Sequence, residues 1–292
     1  MSNIEKSTLY VVATPIGNLG DITLRAIDVL READIILAED TRVTSKLLLS
    51  LNIRKDQKLL SCHDFNEESR IQQVKELLDE GKVVALVSDA GTPLISDPGY
   101  KIVTNLRKEN YKIVPIPGVS AAITALSVAG LPSDSFVFKG FLSAKKAKRQ
   151  EQILEFKSLN TTVILYESVH RIEYLLADLD SVLPNVDIVV AKELTKQFET
   201  FVNGKPGQVI EFFKSYPEKL KGEFVVIVDC SGHDASDPSS SIDQELLLRA
   251  LLEELPLKKA VKLTTELLNL KKNDVYQRAL DLKKDMDLKK NA

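Results

Sequence analysis

The sequence predicts an α/β fold: two α/β domains followed by a small C-terminal helical appendage. Three observations carry this. Apolar strand-like runs alternate with helical patterns through residues 1–132, strands outnumber helices over 133–231, and a polar, turn-rich stretch at 232–242 precedes a purely helical pattern at 243–292.

In the first part, the spacing predicts a strand at Leu9–Thr14 and then a helix started by Asp21, with Ile22, Ala26, Ile27 and Leu30 on one face. Strands at Ile35–Ala38 and Leu59–Cys62 precede helices at Thr41–Leu51 and Glu67–Glu80. Strands at Val83–Val87 and Ile113–Ile116 are followed by helices near Asp97–Lys108 and Val119–Ala129. The run Val83-Val84-Ala85-Leu86-Val87 is apolar without alternation, as a strand covered on both faces of a parallel sheet must be.

The second part reads as a mixed sheet. Its strands are expected at Ser135–Leu142, Thr162–Tyr166, Asp187–Glu193, Thr200–Asn203 and Glu223–Asp229, with helices near Lys148–Leu159, Val169–Leu183 and Gly207–Ser215. In the tail, helices are expected at about Asp243–Glu254, Leu257–Leu268 and Lys272–Lys284, with turns at Leu255-Pro256 and Leu270-Lys271. Leu257, Ala260, Val261, Thr264, Leu267 and Leu268 recur at helical spacing, so the tail reads as a small bundle or helix-turn-helix-like unit.

Composition limits the function. A formal net charge of −3 with 28% charged residues gives no global nucleic-acid footprint, so any RNA contact must rest on local basic patches. Cys62 and Cys230 are too few for a disulfide framework and read as reduced structural thiols. No apolar run reaches the length of a membrane span, and the N-terminus lacks the charge pattern of an export signal, so a cytoplasmic protein without membrane partners is expected. The motifs GxxxxGK[ST], HExxH and GxSxG are absent, and His63, His170 and His233 are far apart, so no metal site is expected.

Three strand ends run into Gly/Pro-bearing polar loops: Pro15–Asp21, Ser88–Pro98 and Pro117–Ala121. Ligands of parallel sheets sit beyond the carboxyl ends of the strands, so three such loops can converge on one small molecule. Glu39 and Asp40 end the second strand about twenty residues after Gly20, where an acid could hold a ribose, but the first loop lacks the close-spaced GxG that a pyrophosphate needs. An adenosine-like ligand without a diphosphate fits better, which points to S-adenosylmethionine.

The ordered motifs TPIGNLGD (Thr14–Asp21), AEDTR (Ala38–Arg42), SDAGTPLISDPG (Ser88–Gly99), PIPGVSAA (Pro115–Ala122), YESVHR (Tyr166–Arg171), AKELTK (Ala191–Lys196) and GEFVVIV (Gly222–Val228) resemble the tetrapyrrole-methylase superfamily over nearly the whole chain. Within it they resemble the branch that modifies small-subunit ribosomal RNA. The resemblance implies S-adenosylmethionine in a cleft between two α/β domains, a homodimer, and methylation of the ribose 2′-oxygen of a cytidine in the decoding region. By matched position it implies cofactor contacts from Ile16, Gly17 and Asn18, from Asp89, Gly91 and Thr92, and from Ser120 and Ala121. From the second domain it adds Tyr166 and Gly222, Glu223 and Phe224, together with Glu167 beside Tyr166.

Transfer of a methyl group to a hydroxyl is an in-line displacement that needs alignment and removal of one weakly acidic proton. Glu167 is the candidate base, with Lys192 and Arg171 orienting or neutralising phosphate. An ion-pair cluster at the strand ends would give the same spacing. Lys145, Lys146, Lys148 and Arg149 form the densest basic run of the two α/β domains and are the candidate RNA contact, with the lysine-rich tail as a second. Two other readings stand beside this one: a methylase of a tetrapyrrole or other small acceptor, and a nucleic-acid-binding module using the tail.

Overall fold

The computed structural model describes residues 4–53, 57–63, 66–232, 240–268, 270 and 272–290. It falls into two compact units, Met1–Ser231 and Gly232–Ala292.

The first unit opens with β1 (Thr8–Val12), α1 (Leu24–Glu32), β2 (Ile35–Ala38), α2 (Thr41–Ser50), β3 (Lys58–Ser61), α3 (Glu67–Asp79), β4 (Val83–Val87), α4 (Tyr100–Lys108), β5 (Lys112–Ile116) and α5 (Ala121–Ala129). Its five strands are all parallel, in the order β3-β2-β4-β1-β5. Both faces are covered by helices: Ala26, Val29 and Leu30 of α1 join one core, and Val74, Leu78, Ile102 and Leu106 of α3 and α4 join the other. That accounts for the unbroken apolar run of β4, every residue of which is buried.

Two helix starts differ from expectation. Asp21 lies in a single 3-10 turn, Leu19–Asp21, and the cap of α1 is Thr23, whose hydroxyl accepts from the Ala26 N–H at 3.1 Å. Helix α4 starts at Tyr100 rather than near Asp97, because Pro98 disfavours helical geometry at the residue before it.

The chain continues with β6 (Phe136–Gly140), α6 (Lys146–Leu154), α7 (Phe156–Leu159), β7 (Thr162–Ser168), α8 (Ile172–Val182), β8 (Asp187–Lys192), β9 (Thr200–Gly204), α9 (Pro206–Ser215) and β10 (Glu223–Asp229). The order β6-β7-β10-β8-β9 is mixed: β6 and β7 are parallel, and the other pairs are antiparallel. Strand β7 runs two residues past the expected end, so Glu167 lies inside the sheet.

One face of this sheet packs on α6–α9 through Ile153, Phe156, Leu175, Leu179, Val209 and Phe213. The other receives α5: Ala122, Ala125 and Leu126 pack against Ile164, Val189, Ala191, Val225 and Ile227. Helix α5, which follows the last strand of the parallel sheet, thus covers a face of the mixed sheet.

In the second unit, α10 (Ser240–Glu254), α11 (Leu257–Leu268) and α12 (Lys272–Lys290) enclose a core of Leu248, Ala260, Val261, Val275, Ala279 and Leu282. Of the apolar positions read on α11, Leu267 and Leu268 are exposed rather than buried. Residues 233–239 of the expected linker, with His233, and Lys271 of the last turn lie outside the described residues.

Candidate functional site

Strands β4, β1 and β5 are neighbours, so the three loops at their carboxyl ends meet. The loops are tied together by hydrogen bonds. Thr14 and Gly91 exchange two backbone hydrogen bonds, at 2.8 and 3.0 Å, and the Thr92 hydroxyl donates to the Val119 carbonyl at 2.9 Å. Where they face the ends of β7 and β10 they enclose a cleft of about 340 Å³. Its wall contains Ile16, Asp89, Gly91, Thr92, Ser120, Ala121, Tyr166, Glu167, Glu223 and Phe224, ten of the residues singled out in the sequence.

It also contains Glu39, Ala90, Ile95, Ser96, Asp97, Phe141, Ser168, Leu194 and Val225. Ala90 and Ile95–Asp97 belong to a loop already marked by its composition, and Glu39 was the acid at the end of the second strand. Phe141 carried no sequence signal.

Asp89 stands among carboxylates. Its Oδ1 accepts from the Asp40 N–H at 3.0 Å, and its own N–H reaches Glu39 Oε2 at 3.4 Å. Burial pushes the Asp89 carboxyl above its usual range, and the Asp40 hydrogen bond opposes that rise. Asp40 is held down to about 2 by Arg42, whose side chain clasps it.

Tyr166 crosses from the second sheet to cap α5: its hydroxyl accepts from the Ala122 N–H at 3.1 Å. Phe138 and Phe141 pack edge-on against its ring at 4.9 and 5.9 Å. Burial raises its pKa.

Glu167, Phe224 and Lys192 lie side by side on three neighbouring strands. The Glu167 side chain is 1% exposed; Oε1 accepts from the Ser168 N–H at 2.8 Å and Oε2 pairs with Arg171 at 3.1 Å. Burial raises its pKa against the pull of these partners. Lys192 is buried, is absent from the cleft wall, and makes no side-chain hydrogen bond or ion pair among the described residues. Arg171 is also off the wall: besides Glu167, its Nη2 donates to the Leu142 carbonyl at 2.6 Å, so it is turned into the protein instead of toward a phosphate.

Gly17, Asn18 and Gly222 are close by but off the wall. Asn18 is spent on the 3-10 turn, accepting from the Gly20 N–H. A Cβ at Gly17 would meet Lys196 Cγ at 2.4 Å, and one at Gly222 would meet Glu193 Oε1 at 2.0 Å. Both glycines thus let the segment 193–196 pack close, and Lys196 there bridges Glu193 and Glu223 at 2.9 and 3.1 Å. Glu193 and Thr195 have φ of +50° and +64°, and Leu94 and Ser96 in the second loop have +72° and +67°. Backbone strain of this kind gathers where function over-determines the geometry.

Lys145, Lys146 and Lys148 are exposed at the start of α6. Arg149 is not part of that patch. It is buried, with its Nε 2.6 Å from Asp178 Oδ2 and its Nη1 donating to the Ser143 and Ala144 carbonyls. Its position one turn inward on α6 puts it against α8. Among the described residues, no group of His, Cys, Asp and Glu is placed to hold a metal, and no helix is long and apolar enough to cross a membrane.

A parallel sheet followed by a mixed sheet whose face is covered by α5, with a cleft at the strand ends, makes a two-sheet α/β protein with a small-molecule-sized site. The chain belongs to the Tetrapyrrole (Corrin/Porphyrin) Methylases, whose profile matches residues 8–210, and residues 238–283 match the RsmI C-terminal HTH domain. It is 48% identical to the Ribosomal RNA small subunit methyltransferase I of Vibrio cholerae, over 94% of both chains. The protein of the same name from Escherichia coli O157:H7 is 45% identical, again over 94% of both. The fold is also that of cobalt precorrin-4 methyltransferase, a cobalamin biosynthetic enzyme, with a TM-score of 0.57 at 16% identity over 76% of this chain and 94% of that one.

Proposed function

We propose that the protein transfers a methyl group from S-adenosylmethionine to the ribose 2′-oxygen of a cytidine in the decoding region of small-subunit ribosomal RNA, acting as a homodimer in the cytoplasm. The observation that carries the reading is the similarity to relatives named for small-subunit ribosomal RNA methylation, which runs over both units of the chain.

The cleft suits the methyl donor. Its volume falls within the range of small-molecule sites. Its lining joins the acids Glu39 and Asp89 with the apolar Ile16, Leu194, Val225 and Phe224, a pairing matched to a cationic, hydroxyl-bearing adenosine derivative. Ile16, Asp89, Gly91, Thr92, Ser120, Ala121, Tyr166, Glu223 and Phe224 would hold it; Gly17 and Gly222 act by admitting the 193–196 segment. When bound, the sulfonium supplies an electrophilic methyl carbon.

The chain's own residues do the rest. The cleft orients the acceptor hydroxyl, which supplies much of the acceleration. Glu167 takes the proton: burial makes its carboxylate a stronger base than an exposed glutamate, and Arg171 and the Ser168 N–H fix its orientation. Lys192 lies in the same row, on the far side of Phe224. Lys145, Lys146 and Lys148 meet the phosphate backbone.

The test is incubation with radiolabelled S-adenosylmethionine and, separately, small ribosomal subunits, naked small-subunit RNA and tetrapyrroles. Label in the RNA, mapped to a ribose by resistance to alkaline cleavage, is expected. Label only in a tetrapyrrole would refute the proposal.

A further inference from the structure

One aromatic ring at the cleft has no structural task that explains its exposure. Phe141 forms part of the cleft wall and yet is 53% exposed, with its ring supported from behind by Tyr166. A single exposed ring is ordinary on a protein surface, but this one lines the cleft and its backbone is held.

The backbone on either side is pinned. The register of β6 against β7 shifts between Phe138 and Gly140, an irregularity of the kind that re-aims a side chain. Gly140 has φ +61° and lies so close to the second cofactor loop that a Cβ there would meet Ser96 Oγ at 2.9 Å. Beyond Phe141, Leu142 is buried in the core, and three successive carbonyls are held: Leu142 by Arg171, Ser143 and Ala144 by Arg149. The Ser143 N–H donates to Gln152 Oε1 at 2.9 Å. Two arginines, anchored on Glu167 and Asp178, thus hold one short loop. The same loop leads directly into the exposed Lys145, Lys146 and Lys148.

We infer that Phe141 is the stacking platform for the acceptor nucleobase, presented by a loop that Arg149 and Arg171 hold in place. A base has a π-face to lay on the ring, and the phosphates flanking it would run toward the lysines a few residues along. An acceptor in single-stranded or flipped-out RNA has the chemistry to use both. The inference rests on the proposed RNA substrate and names how that substrate is seated.

The test compares Phe141→Ala with Phe141→Trp, reading affinity for small-subunit RNA by filter binding, kcat/KM for that RNA, and S-adenosylmethionine affinity by calorimetry. Losing one base–aromatic stack should weaken RNA binding and kcat/KM about ten-fold in Phe141→Ala, with Phe141→Trp near wild type. Cofactor affinity should not change, and neither should the salt dependence of RNA binding, because the residue carries no charge. RNA affinity equal to wild type in Phe141→Ala would overturn the inference. So would a parallel fall in cofactor affinity, which would place the donor's adenine on the ring. A wild-type protein that methylates no RNA would instead refute the substrate itself, and that is seen before any variant is made.

Discussion

Replacing Arg149 with Met keeps the aliphatic stem and removes the guanidinium. The side chains of Arg149 and Asp178 are 5% and 4% exposed, so solvent does not screen the pair. After substitution, the Asp178 carboxylate stays buried with the Gln150 Nε2 donor at 2.9 Å, and the Ser143 and Ala144 carbonyls lose Nη1. Stranding one partner of a buried ion pair costs about 3–5 kcal/mol. Against a domain stability of about 5–15 kcal/mol, that is a large fraction.

Because the chain has two compact units, the assay should report on the affected unit: native-state hydrogen exchange at amides of β7 and α8. Arg149→Met should lower protection there by the stated amount, and adding Asp178→Leu should restore most of it, since an apolar pair can replace a buried ionic one at little cost. A loss below about 1 kcal/mol, the value of an exposed pair, would refute the reasoning. If the salt slope of RNA binding also fell by about one unit, the guanidinium would belong on a phosphate after all.

Three other outcomes follow from the geometry. Asp89→Ala should weaken S-adenosylmethionine binding about ten-fold or more by calorimetry, the scale of a hydrogen bond to a charged group, while the thermal midpoint stays nearly unchanged. Glu167→Gln should slow single-turnover methylation without changing RNA or cofactor affinity. In the wild type the rate should fall as the pH drops through the raised Glu167 pKa, so the acid limb should lie above 4.5 and vanish in the variant. The same upward shift means that Glu167 contributes stability below its unfolded pKa and loses it as the pH rises through the folded value; Gln should remove that component. Neutralising Lys145, Lys146 and Lys148 together should reduce the salt slope of RNA binding by up to about two units and leave cofactor affinity intact.

Local sequence patterns carry much of this architecture. The apolar run of β4 predicted a covered parallel strand, and Gly/Pro composition marked the three loops that meet at the cleft. Strand order is a non-local property, and no periodicity could show that β4, β1 and β5 are neighbours. Arg149 failed for a related reason: in a run of lysines it reads as solvated, and its partner Asp178 is 29 residues away on another helix. Thr23 and Asp21 are both good caps, and only the backbone shows which one reaches a free N–H three residues on. Phe141 was missed because its position depends on a register shift in β6, and an isolated Phe after a glycine has no sequence signature of that.

The hydrogen bond from the Ala122 amide to the Tyr166 hydroxyl also governs how the cleft can breathe. A hinge motion parting the two sheets would uncap α5 and wet Leu126, Ile164 and Ile227, each larger side chain costing about 1.5–3 kcal/mol on full exposure. Opening the root of the cleft therefore has to overcome that burial as well as the hydrogen bond. At the rim, the 193–196 segment is held both by the ion pairs of Lys196 with Glu193 and Glu223 and by Leu194, which is buried among the apolar residues between α5 and the mixed sheet. The rate at which a bound ligand leaves should therefore rise with ionic strength and rise further when Leu194 is trimmed to Ala.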